Sequence, residues 1–313
     1  MSTDVTVRAM QAADVEDAER LYRFAFGTYF QFPEPMAFRG DAAVIGPRWR
    51  TYPDGGIVAM HDGRMIGMSF AANWGSVGVL GPVAVHPDLW KQGIARLLLG
   101  ATLDIFDRWG CRIVGLFTFP QSATHLRLYQ EFGFWPRTLM PAMAKAVGGP
   151  HNVPGAAALS TRRDRAALVS ACRALTDSVC PGLDLGHEIA TVLDERLGEV
   201  VVLMEGDALA GFAICHAGAG SEGGSKSCAI KFALVRSGET APERFRNLVF
   251  ACEDFARTRG IGQVGSGVTT GRHGAYRIMC ELGFRTQVAG VAMHRPYADA
   301  YDRPDIFAID DWR

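Results

Sequence analysis

The sequence has little of what announces a partner by charge or a compartment by apolar length. Its net charge is −1 over 313 residues, which gives no general attraction to nucleic acid or to an anionic lipid surface, so neither is expected as a partner. No apolar run approaches the roughly 20 residues that cross a bilayer. Residues Met1 to Val7 lack a basic and apolar leader, so a cytoplasmic location is expected. Cysteine is sparse: seven, at 111, 172, 180, 215, 228, 252 and 280, with no Cys-x-x-Cys pair. Most sit in apolar surroundings, which reads as reduced core thiols and argues against a disulfide framework or a zinc site. There is no Walker-type phosphate loop and no cluster at metal-ligand spacing, so kinase and metallohydrolase chemistry are unsupported and no metal is expected.

What is present is a globular composition, 48% hydrophobic and 21% charged, at a length that predicts two domains. The organising stretch runs from Gly78 to Arg108. Val79 to Val85 is apolar and rich in β-branched residues, a buried strand stopped by Pro87. A basic turn follows, Trp90-Lys91-Gln92-Gly93-Ile94-Ala95. Leu97, Leu98, Ala101, Ile105 and Trp109 then recur at helical spacing. Strand, glycine turn and helix N-terminus together make an anion site, because the first-turn N–H groups lack internal partners and the helix dipole is positive there. Gly93 allows close approach, Ala95 keeps the surface small, and Lys91 and Arg96 add charge. A second stretch, Ser122 to Phe134, predicts a helix carrying Leu128-Tyr129 and ending in a Gly133-Phe134 turn.

Both stretches resemble motifs of the GNAT superfamily of acyl-CoA-dependent N-acyltransferases. The turn matches Gln/Arg-x-x-Gly-x-Gly/Ala at Gly93 and Ala95, with Trp90 where Gln or Arg is usual. The second stretch resembles the family's Leu-Tyr helix, with Ser122 where Asn is frequent. The resemblance implies an α/β (α+β) fold, a mixed, mostly antiparallel twisted sheet flanked by helices, over Val5 to Lys145. It implies acetyl-CoA as cosubstrate, with the pyrophosphate on the amides of Lys91, Gln92, Gly93, Ile94, Ala95 and Arg96. Main-chain groups of Val83, Ala84 and Val85 would meet the pantetheine arm, and Ser122 would contact CoA. The Val85 amide would polarise the thioester oxygen, and Tyr129 would protonate the leaving thiolate. For the base, His86 at the strand end is the nearest candidate; His125 shares a helix face with Tyr129. Cys111 has no histidine partner nearby in sequence, which disfavours an acyl-cysteine route.

In chain order, Val5 to Arg8 reads as a strand and Asp14 to Phe26 as a helix. Thr28 to Gly56 is irregular and crowded with aromatic, proline and basic residues, including Phe30, Phe38, Arg39, Arg48 and Tyr52. It is placed to line the acceptor pocket or to cover the sheet. Gly56 to Met60 and Arg64 to Ala72 form a hairpin about His61-Asp62-Gly63, and Phe134 to about Lys145 is a final strand. Residues 148–155 are a Gly/Pro linker between domains 1–147 and 156–313. In the second domain, Thr161 to Asp177 and Gly186 to Leu197 predict helices, Val200 to His216 a hairpin, and Gly218 to Ser225 a mobile loop. Shifting the chain by 150 positions brings Val85, Asp104, Gly110, Gly133 and Phe134 onto Val235, Asp254, Gly260, Gly283 and Phe284, a weak internal repeat. The repeat is degenerate: Gly93 maps to Glu243, Ala95 to Phe245 and Tyr129 to Met279. The expectation is two GNAT-like domains with one active site in the first. It would transfer acetyl to a small-molecule or peptide amine, in a monomer or homodimer. The rival from another class is a non-catalytic acyl-CoA sensor or interaction protein.

Overall fold

The computed structural model describes residues 5–313. Residues 1–4, part of the stretch read for an export leader, lie outside it. The first half runs β1 (Thr6–Ala9), α1 (Val15–Tyr29), α2 (Ile45–Thr51), β2 (Gly56–His61), β3 (Arg64–Trp74), β4 (Val77–Val85), α3 (Ile94–Trp109), β5 (Ile113–Thr118), α4 (Ala123–Glu131) and β6 (Trp135–Leu139). Then come β7 (Ala142–Ala146), β8 (Ala156–Ala158), α5 (Arg165–Val179), α6 (Gly186–Asp194), β9 (Gly198–Glu205), β10 (Ala208–Gly218) and β11 (Gly224–Val235). The chain closes with α7 (Ala241–Thr258), β12 (Gln263–Gly267), α8 (His273–Glu281), β13 (Arg285–Val288), β14 (Val291–Arg295) and β15 (Ala308–Asp310).

These strands form two mixed sheets. One has the order β1-β2-β3-β4-β5-β14-β6 and the other β13-β7-β12-β11-β10-β9-β8, with β15 beside β11. The two orders correspond position by position, which is the repeat expressed as topology. The halves also exchange a strand. β7 pairs with β12 from Gln263↔Ala146 to Gly267↔Ala142, and β14 pairs with β5 from Val291↔Thr118 to Arg295↔Val114. The expected single strand from Phe134 to Lys145 is therefore two, broken at Met140–Pro141, and its second part leaves for the other sheet. A boundary at 147 does not separate the sheets, because each is completed by the other half's residues.

Side-chain pattern explains the layers. α3 buries Ile94, Leu98, Leu99, Leu103, Ile105 and Phe106, whereas Leu97 is half exposed; the helix is rotated relative to the face the spacing suggested. It lies close to the sheet because Gly78 has no side chain: a Cβ there would sit 2.4 Å from the Phe106 ring. The largest core takes residues from both halves, with Trp74 of β3 meeting Phe232 of β11 at 5.7 Å between ring centroids. The segment read as irregular contains α2, whose Arg48 is buried. Residues 218–225, read as a mobile loop, hold Ser221 and Glu222 buried. All seven cysteines are free and five are buried. Among the described residues no group of His, Cys, Asp or Glu could hold a metal, and no helix is long and apolar enough to cross a membrane.

Candidate active site

The site begins where β4 leaves its neighbour. β4 runs parallel to β5 from Val77↔Ile113 to Leu80↔Leu116, and the pairing stops there. On its other side the β3–β4 register slips between Ser69↔Val83 and Ala71↔Leu80, so β4 carries one extra residue at Gly81–Pro82. A bulge bends the strand, and Pro82 has no N–H to offer a ladder. Beyond it β4 stays on β3 and splays from β5. The His86 N–H donates to the Ile66 carbonyl on β3 at 2.9 Å. Backbone groups alternate along a strand, so the N–H groups of Val85 and Val83 face the open side, while those of Ala84 face β3.

At the open end, Gly93 caps α3 with φ +85° and no side chain caps that N-terminus. A Cβ on Gly93 would meet nothing within 4 Å, so glycine is required by the left-handed backbone, not by crowding. The Ile94 and Ala95 N–H groups have no intrahelical acceptor and point out of the helix end, the arrangement that binds anions. Trp90 explains itself here: its indole N–H donates to the Val85 carbonyl at 2.8 Å and pins the turn to the strand. Arg96 is drawn off toward α4 by an ion pair with Glu131 at 2.8 Å, whereas Lys91 forms no ion pair among the described residues.

Splay, turn, α1 and α4 enclose a cavity of about 880 Å³. Val83, Ala84, Val85, Lys91, Gly93, Ile94, Ala95, Arg96, Ser122 and Tyr129 all line it. Gln92 and His86 do not. His86 instead sits outside, 3.7 Å from Asp88 and with its ring 5.3 Å from Phe24, so the structure gives no support to His86 as base. Ser122 caps α4, accepting from the His125 N–H at 3.3 Å, which uses one lone pair of its hydroxyl and leaves the O–H free to donate. Burial pushes the Tyr129 phenol up to about 12, so it holds its proton at neutral pH. His125 lines the cavity, its ring 5.5 Å from Tyr29 and 6.2 Å from Phe119. Burial lowers its pKa, so it is a neutral imidazole there. Cys111 is pushed up to about 11, by burial first and Asp107 second, which leaves it a poor nucleophile.

The closed end of the splay is built largely from the second half. Arg48 donates to the Gly81 carbonyl at the bulge, 2.7 Å away, and pairs with Glu222 at 3.0 Å. Glu222 also accepts from Lys231 at 2.9 Å. Burial opposes ionisation of Glu222, but the charges of Arg48 and Lys231 hold it well below the usual carboxylate range. Arg48 also donates to the Arg313 main-chain oxygen, and Trp312 and Arg313 line the cavity with Val288. Arg48 belongs to the segment read as lining the pocket or covering the sheet, but the sequence carried no local signal for Glu222, Lys231, Val288, Trp312 or Arg313, which lie far along the chain from the motifs.

In the second half the same bulge recurs: the β10–β11 register slips between Ile214↔Phe232 and Cys215↔Ile230. β11 leaves β12 after Ile230↔Ser266. The gap is filled, since Phe232–Leu234 pair with Asp310–Ala308 of β15. Glu243 stands in the first turn of α7 and Met279 is buried where α4 has Tyr129. Phe245, which maps onto Ala95, does not obstruct the turn but packs in the core, 5.9 Å from Phe307. β15, not Phe245, closes the second cleft.

A splayed β4/β5 pair opening onto a bare helix N-terminus defines an acyltransferase fold of the GNAT kind. Residues 15–134 match the model of the Acetyltransferase (GNAT) family, and the chain carries a GNAT acetyltransferase domain followed by a second GNAT-like unit. Among solved structures, an acetyltransferase candidate from Pyrococcus horikoshii superposes with TM-score 0.73 at 14% identity, covering 98% of this chain and 95% of that one. A GCN5-related N-acetyltransferase from Sphaerobacter thermophilus gives 0.63 at 18% identity, over 93% and 95%. A tandem GNAT protein from the clavulanic acid biosynthesis pathway gives 0.59 at 13%, over 93% and 98%. At these identities the likeness is one of fold. No curated protein sequence matches significantly.

Proposed function

We propose that the protein transfers an acetyl group from acetyl-CoA to a primary amine by direct attack, at one site in the first half. The observation that carries this reading is the open splay running from the uncapped N-terminus of α3 to the Gly81–Pro82 bulge, with Tyr129 and His125 on its wall. The donor supplies an acetyl thioester. The main-chain amides of residues 91–95 and the Lys91 ammonium hold its pyrophosphate. The Val83 and Val85 N–H groups donate to the pantetheine arm and to the thioester oxygen as charge grows there. As the new C–N bond forms and the C–S bond breaks, Tyr129 gives its proton to the departing sulfur and His125 takes one from the nitrogen. No lining residue among those described is Asp or Glu, and positive surroundings disfavour an ammonium, so the cavity itself favours the neutral, nucleophilic amine.

In this reading the catalytic domain is 1–147, the linker 148–155 and the degenerate domain 156–313, with β14 lent to the first sheet and Val288, Trp312 and Arg313 to the site. The seven free thiols suit a reducing, cytoplasmic setting, and the chain works as a monomer or homodimer. The test is CoA release with a panel of amines, beside acetyl-CoA titration. Transfer lost in Tyr129→Phe with acetyl-CoA binding kept supports the enzyme. Tight binding with no transfer to any amine, unaltered by Tyr129→Phe, would make it a sensor.

A further inference from the structure

The acceptor side of the cavity has a chemistry of its own. It lies at the closed end of the splay, away from the α3 turn, between α1, the residues that follow it, β5 and the last residues described. Aromatic rings dominate it. Phe30 stacks with Phe38 at 5.6 Å, Tyr29 with Phe119 at 5.1 Å, and Phe30 meets Phe119 edge-on at 5.3 Å. Phe117 and Trp312 complete the wall, Trp312 lying against Gly115 of β5. Rings arranged in this way offer flat apolar surface to a ligand that brings a ring or a bulky hydrocarbon body.

The charges are equally one-sided. A polyamine entering this cavity would lose its hydration and meet no Asp or Glu side chain among the described lining residues to offset that cost. The cations present differ in how far they are already satisfied. Arg313 is paired with Asp311 through two guanidinium nitrogens. Arg39 forms no ion pair among the described residues: its Nη2 donates to the Glu222 main-chain carbonyl at 2.9 Å and its Nε has no partner. Arg39 stands in a left-handed backbone conformation, φ +70°, on the segment that closes the aromatic wall. An unpaired, half-buried guanidinium beside an apolar cleft is matched by a ligand carboxylate, which it binds through a charge-assisted fork.

Resting on the acetyltransferase reading above, we propose that the acceptor is an amine carrying both an aromatic or bulky apolar body and a carboxylate, with Arg39 as the carboxylate's partner. Aromatic amino acids and molecules of that pattern meet the description; polyamines and polycationic sugars do not.

The test compares phenylalanine, phenethylamine and spermidine as acceptors with saturating acetyl-CoA, reading CoA release, with acetyl-CoA affinity measured separately by calorimetry. The expected order in kcat/KM is phenylalanine at least about tenfold above phenethylamine, the worth of one charge-assisted contact, and spermidine at least about 100-fold below phenylalanine, the worth of about 2.7 kcal/mol. In Arg39→Gln the ratio of phenylalanine to phenethylamine should fall toward one, while Arg39→Lys, which keeps the charge, should retain much of it. A preference for spermidine, an Arg39→Gln ratio equal to wild type, or transfer to none of the three while acetyl-CoA still binds overturns the proposal and leaves the CoA site standing. Failure of wild type to bind acetyl-CoA overturns the underlying reading and the proposal with it.

Discussion

In the first half β4 leaves β5 after Leu80 and the space between them stays open; in the second, β11 leaves β12 after Ile230 and β15 occupies the space. Both departures follow a bulge at positions 150 residues apart, so the splay is a property of the shared plan. What distinguishes the halves is the filling. In the first, unpaired N–H groups of β4 face a cavity. In the second, the equivalent stretch has its ladder completed by Ala308–Asp310 and is fully buried. A strand edge left open inside a protein is costly unless a ligand meets it. The half that keeps its edge open is also the one with a left-handed glycine at the start of its helix and a tyrosine on the wall. The second half has become a support: it lends β14, Trp312 and Arg313 to the first, and takes β7 in return.

The contrast can be broken most sharply at the turn. Gly93→Glu gives the first half the residue of the second; strain at φ +85° and repulsion of the pyrophosphate each cost about 2 kcal/mol, so the acetyl-CoA Kd should rise about a thousandfold by calorimetry. Next is the joint between halves. Glu222→Gln leaves Arg48 and Lys231 without their shared carboxylate, and thermal unfolding should show a single transition destabilised by about 3 kcal/mol. Wild type should show the same loss in acid: Glu222 is held below its usual pKa, so its contribution is complete above the unfolded value and disappears as pH falls through the folded one.

Tyr129→Phe installs a residue with no proton to give, as Met279 has none. It should lower kcat about 100-fold with acetyl-CoA affinity kept. Because burial raises the phenol to about 12, its stabilising preference for the neutral form holds below the unfolded value near 10 and fades between there and 12. The smallest effect belongs to His125→Gln, about tenfold in kcat/KM. Burial depresses the His125 pKa, so in wild type activity should fall only as pH drops below the ordinary histidine value, and the variant should lose that limb.

How much was visible in the sequence follows from how local each feature is. The strand, glycine turn and helix of 79–109 are contiguous, so patterning and backbone chemistry placed them, although Leu97 was put on the wrong face. The 150-residue offset exposed the repeat because it survives in turn glycines, whose backbone demands change slowly. The exchange of β7 and β14 was invisible, since both strands read as ordinary apolar segments and only tertiary pairing decides which sheet receives them. The same holds for β15, three residues long, and for Trp312 and Arg313, which reach the site from far along the chain. His86 looked well placed because it ends the strand; its backbone N–H binds Ile66, and its side chain stays outside the cavity.

The central claim is one open splay and one filled. Calorimetric titration with acetyl-CoA tests it most directly, on wild type and on Gly93→Glu. The account predicts one molecule bound per chain, and none detectable in the variant at the same concentrations. Two bound per chain, or one that persists in Gly93→Glu, would contradict it, because the donor would then sit somewhere other than the cleft between β4 and β5.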